Sequence, residues 1–187
     1  MISFFYETFT KQKNISDATT KARKMETRSD QMQEQICSYL AECTKHELSI
    51  DSSKGAAAMS RIANELESIG DSSLNLFLHI ERLEENLKFN KHMISEVTEM
   101  YNLVTKFNEW NSSFIIDNLK PMNDEDLNKS IVYEKEIDEL RNKLLDSSRE
   151  RLSQGSKPKS ELLFMDIIKH LEHIGDYSLN ISQALHH

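Results

Sequence analysis

An all-α fold of six helices, written as two related halves, is what this sequence predicts. Three observations lead there. Only four Gly and two Pro punctuate 187 residues, too few for the turns a sheet of this size needs, while the abundant Leu, Met, Glu, Lys and Ser suit long helices. Apolar residues recur over long stretches at alternating three- and four-residue steps, the period of one helix face. Finally, Glu67-Ser68-Ile69-Gly70-Asp71 returns 105 positions later as Glu172-His173-Ile174-Gly175-Asp176. The same offset pairs Ile62 with Ile167, Leu66 with Leu171, Ser73 with Ser178 and Leu74 with Leu179. The chain is internally duplicated.

Ile2, Phe5 and Phe9 stand at helical spacing and predict a short first helix. A second runs from about Ser16 to His46, with the stripe Met25, Ser29, Met32, Ile36, Tyr39, Cys43. Turn and cap residues between Ser49 and Gly55 introduce a third, from about Ala56 to Lys88, with Ile62, Leu66, Ile69, Ser73, Leu76 and Ile80 in line. Asn90 marks a corner before a fourth helix, about Lys91 to Asp117, carrying Met93, Val97, Met100, Val104 and Phe107. Pro121 lies in the linker that follows. A fifth, about Asp124 to Leu152, opens on acids that favour a helix N-terminus and buries Tyr133, Ile137, Leu140 and Leu144. Gly155 and Pro158 separate it from a sixth, from Ser160 onward, with Ile167, Leu171, Ile174, Ser178, Ile181 and Leu185. These stripes have the spacing of bundle packing. Met25, Met32, Met59, Met93 and Met100 are expected to fill gaps in the core.

Apolar residues make up 38% and charged residues 29% of the chain, an ordinary balance for a soluble globular protein, and the formal charge is −8. That charge, with no basic run to offset it, argues against nucleic acid as a partner. No stretch approaches the roughly 18 to 20 apolar residues of a membrane span. Cys37 and Cys43, six apart on one helix, are poorly placed to bridge each other and read as reduced thiols of the core or its rim. Phosphate-loop, dinucleotide, nucleophile-elbow and HExxH motifs are missing, so catalysis has no candidate nucleophile and the reading is not an enzyme.

In four helices a Glu directly follows a stripe residue and an Asp comes four later: Glu26/Asp30, Glu67/Asp71, Glu134/Asp138 and Glu172/Asp176. One residue is about 100° of rotation, so each pair lies beside the core seam. Like charges at this spacing cost about 0.2–0.5 kcal/mol even on an exposed helix, more where several converge, unless something neutralises them. Gly70 and Gly175 each add about 1 kcal/mol relative to Ala in a helix interior, which close approach of a neighbouring helix or a bound cluster would offset. A solvated acidic face competes with a metal or carboxylate cluster, and the twice-repeated glycine favours the cluster. Oxygen ligands suit Mg, Ca and Mn; Fe or Zn fit if carboxylates bridge several ions. His170 and His173 are one turn apart near Glu172, but His173 replaces Ser68 of the first copy and reads better as a surface residue.

Arg61 to Asp71, with Leu74-Asn75-Leu76 beyond, and Leu171 to Ile181 resemble the PhoU family, as does the duplicated layout. The resemblance implies tandem three-helix bundles, 1–89 and 90–187, with the first helix truncated on its N-terminal side. By it, Glu26, Asp30, Glu67 and Asp71 would hold one metal cluster and Glu134, Asp138, Glu172 and Asp176 another, of Fe, Mn, Zn, Mg or Ca. It also implies regulation of phosphate uptake. The expected setting is cytoplasmic, at the inner face of the membrane within a sodium/phosphate cotransporter. The partners it implies are a phosphate transporter's membrane domain or a signalling kinase, with a homo-oligomer as a further possibility. Where the family signature has Arg, this chain has Ser68 and His173, so a phosphate contact is not carried over with the carboxylates.

Overall fold

The computed structural model describes residues 1–45, 48–82 and 89–186. Its helices are α1 (Ile2–Lys11), α2 (Ile15–Cys43), α3 (Ile50–Glu81), α4 (Lys91–Ile116), α5 (Asp124–Ser153) and α6 (Pro158–Leu185), and no strand occurs among the described residues. The all-α expectation holds.

Local chemistry places the helix ends. Asn14, a residue type that tolerates the left-handed region, has φ 53° in the tight connection from α1 to α2. Ser49 Oγ accepts the backbone N–H of Ser52 at 3.1 Å and starts α3 at Ile50, earlier than the expected Ala56. Gly55 therefore lies within the helix rather than in a turn. Asn90 caps α4 by accepting from Met93 N at 2.9 Å. Asn123 and Asp126 form a reciprocal capping box on α5. Pro158 occupies the opening turn of α6, where its missing N–H costs nothing, so that helix begins before Ser160. α2 ends at Cys43 and α3 at Glu81, short of the expected His46 and Lys88, and residues 46 and 83–88 lie outside the described residues.

α3 and α6 pack together at the centre. α2 flanks α3, both α4 and α5 flank α6, and α1 sits against α2, α3 and α4. One apolar cluster joins both halves, from Phe5, Phe9 and Phe77 through Met93, Met100 and Phe107 to Ile137, Phe164 and Leu171. Tyr6 stacks on Tyr101 at 4.0 Å and ties α1 to α4. The expected stripes of α4, α5 and α6 are buried throughout.

The stripe of α2 is a correction. Met25, Met32, Ile36 and Tyr39 are exposed, Tyr39 by 70%, and Met59 and Leu66 of α3 are also open. The cause is the length of α1. Its 10 residues rise about 15 Å, whereas α2 has 29 residues and rises about 44 Å. In the second half, the 26-residue α4 supplies the covering surface. Of the methionines expected in the core, Met93 and Met100 are there, but Met25, Met32 and Met59 are not. Cys37 and Cys43 are free and half-buried, at the rim.

Candidate functional site

The paired seams α2/α3 and α5/α6 bring the predicted acids together in two clusters. In the first, Glu26 and Asp30 of α2 meet Asp71 of α3, with one carboxylate oxygen from each lying within 4.8 Å of the others. Glu67 borders the same group. Burial, then Asp71 and Asp30, raise its pKa. Burial, then Asp30 and Asp71, do the same to Glu26. No cation is paired with these acids among the described ion pairs, and Asp30 Oδ1 is buried without a hydrogen-bond partner.

The second cluster differs in plan, because its close group lies on one helix and includes neither Glu134 nor Asp138. Glu172 and Asp176 of α6 are grouped with His173, again within 4.8 Å. Glu134 and Asp138 approach from α5. Burial, then Asp138 and Asp176, raise Glu134; burial, then Asp176, raise Glu172 against the opposing pull of Arg141 and His173. Arg141 donates to Glu172 Oε1 at 2.8 Å and pairs with Asp138 at 3.2 Å. Glu172 is only 7% exposed, yet its Oε2 has no hydrogen-bond partner. The offset of 108 that relates Glu26 to Glu134 puts Gln33 where Arg141 stands, and Gln33 instead donates to Asn64 at 2.6 Å.

The helical glycines let the partner helices approach. A Cβ on Gly175 would lie 2.9 Å from Ile137 Cδ1 and 3.2 Å from Ile137 Cγ2, so α5 packs directly over this position. On Gly70 it would meet Ser29 Oγ at 3.4 Å, ordinary contact. Ser29, Leu66, Ile69, Gly70, Ser73 and Met1 line an open groove there, beside the first acid cluster.

Across α3/α6, the rings of His79 and His170 face each other at 5.0 Å. Burial lowers both; His170, with His79 and His173 adding to the effect, is pushed down to about 4. His170 is therefore half-buried and neutral rather than a surface cation. Sequence reasoning set His173 aside as a surface residue, whereas it stands among the acids at 35% exposure. It also missed Arg141, although an Arg one turn beyond Asp138 on the same helix face was the available signal.

Residues 113–185, covering the end of α4 with α5 and α6, match the PhoU domain family. Over this segment the chain is similar to the PhoU domain. Both members of the second acid-bearing seam, and all four of its acids, fall within it. The PhoU domain implies a role in the regulation of phosphate uptake. A search of curated proteins finds no relative. Among the described residues, no helix is long and apolar enough to cross a membrane.

Proposed function

We propose that the chain is a metal-binding PhoU-type regulator of phosphate uptake, working as the cytosolic part of a sodium/phosphate cotransporter and not as a catalyst. The observation that carries the metal reading is the pair of buried, unpartnered carboxylate oxygens, Asp30 Oδ1 and Glu172 Oε2, each within a converging acid cluster. A buried carboxylate oxygen without a partner costs on the order of 1–3 kcal/mol or more, and a cation removes that cost. The acid-rich donor set fits a hard or borderline ion. Glu26, Asp30, Glu67 and Asp71 would hold one centre; Glu134, Asp138, Glu172 and Asp176 the other. A bound ion supplies positive charge that locks α2 to α3 and α5 to α6. The protein's own share is the rigid seam and the exposed apolar faces of α2 and α3, a surface suited to the membrane domain of a transporter. The two units, 1–89 and 90–187, would then act as one sensing body at the cytoplasmic face.

Elemental analysis of protein purified without chelator tests this. Bound divalent or trivalent metal is expected in the wild type and its loss in an Asp71→Ala/Asp176→Ala double variant. Both residues reach the surface and repel their neighbours, so the variant should fold at least as well. Equal metal content in the two proteins would refute the ligand assignment. The second reading, favoured by the net charge of −8, is a metal-free helical module or free-standing phosphate-signalling regulator whose acids meet a basic partner such as a kinase segment. Binding of that kind weakens steeply with salt and ignores chelator.

A further inference from the structure

We propose that His173 is a nitrogen ligand of the second centre, so that the two pseudo-equivalent centres of this chain take different cations. The inference rests on the metal-binding reading above and goes beyond its carboxylate ligands.

His173 stands at ion-pair distance from two acids without a hydrogen bond to either. Its Nδ1 lies 3.5 Å from Glu172 Oε2 and 3.5 Å from Asp176 Oδ2. Neither carboxylate oxygen forms a hydrogen bond with the ring, and Glu172 Oε2 has no hydrogen-bond partner although its side chain is only 7% exposed. With ligand bonds of about 2.1 Å, two ligands of a tetrahedral ion stand about 3.4 Å apart, and those of an octahedral ion about 3.0 Å. The observed spacing matches a tetrahedral edge. Arg141 holds Glu172 Oε1 at 2.8 Å, which leaves Oε2 facing the histidine and fixes the carboxylate as an outer-shell donor does.

The first centre differs. Ser68 replaces His173 and Gln33 replaces Arg141, so its ligands are oxygen only, and among the described residues no cation is paired with its four carboxylates. Imidazole suits Zn, Co, Ni and Fe, whereas carboxylates alone suit Mg, Ca and Mn. A centre with one imidazole and one neutralising guanidinium therefore selects a borderline ion of low coordination number. The all-carboxylate centre selects a hard ion of higher charge demand.

Titration of Co2+ and of Mn2+ into chelator-treated full-length protein separates the two centres. Calorimetry would read affinity, and visible absorption would read the coordination of Co2+. In the wild type, Co2+ is expected to give the intense bands of a tetrahedral site. In His173→Gln those bands should be lost and Co2+ affinity reduced on the order of 100-fold, at least the 10- to 100-fold effect of removing an outer-shell partner. Mn2+ binding should be unchanged in His173→Gln and lost in Asp71→Ala, while Asp71→Ala keeps the Co2+ bands. Circular dichroism confirms folding of each variant. Retention of Co2+ affinity and bands in His173→Gln would overturn the assignment while leaving the carboxylate centres standing. Failure of both ions to bind wild type would overturn the metal reading itself.

Discussion

Replacing each repeated glycine by alanine separates close packing from helix propensity. Either change recovers about 1 kcal/mol of propensity. At Gly70 the new Cβ meets only Ser29 Oγ at 3.4 Å and Ser29 Cβ at 3.6 Å, so Gly70→Ala should keep most of the gain and stabilise by about 0.5–1 kcal/mol. At Gly175 it meets Ile137 Cδ1 at 2.9 Å and Cγ2 at 3.2 Å. The Cδ1 contact can swing away. The Cγ2 contact cannot, because a β-branched side chain on a helix has one favoured χ1 and Ile137 is 1% exposed. Overpacking of this kind costs about 1–3 kcal/mol, leaving Gly175→Ala neutral to about 2 kcal/mol destabilised. Urea and thermal unfolding of chelator-treated protein read the difference. At about 2–4 °C per kcal/mol for this chain length, Gly175→Ala should melt at least about 1 °C below Gly70→Ala. Adding Ile137→Ala, which costs about 2–5 kcal/mol alone, should cost less in the Gly175→Ala background because it removes Cγ2 together with Cδ1. Equal stability of the two alanine variants would refute the claim that α5 approaches α6 through Gly175.

Glu161 is fully buried and accepts from Arg151 Nε at 2.9 Å, Ser148 at 2.6 Å and Ser156 at 2.7 Å. Glu161→Gln leaves Arg151 with Glu96, at 2.7 Å, as its one carboxylate among the described residues and should cost about 1–3 kcal/mol in urea unfolding, and a loss below about 0.5 kcal/mol would count against a structural role. His79 faces His170, Asp166 and Arg82, and burial holds its folded pKa below the ordinary 6.5. As pH falls through 6.5 the unfolded chain gains a proton that the folded chain does not, so stability present above that pH is lost on acidification. In His79→Gln the decline between pH 7 and 5 should be shallower, and parallel curves would contradict this. Met32 and Tyr39 are 62% and 70% exposed; a Met32→Glu/Tyr39→Glu variant should stay within about 0.5 kcal/mol of wild type per site. A loss above 2 kcal/mol would mean that the α2 face is covered in solution.

Much of the fold was legible because helix periodicity and capping act over a few residues. The stripes of α4, α5 and α6, the Asn90 cap and the acid-rich start of α5 all follow from local chemistry, as does the placement of each Glu/Asp pair on one helical angle. Duplication added the pairing of halves. Periodicity gives the direction a side chain faces but not whether another helix lies there. Met25, Met32, Ile36 and Tyr39 have the same spacing as the buried stripe of α5, and only the short reach of α1 leaves them open. The meeting of Arg141 with Glu172, the entry of His173 among the acids and the contact of Gly175 with Ile137 each join residues through packing between helices. Spacing along one chain segment carries no record of such distances, so the tertiary structure alone decided them.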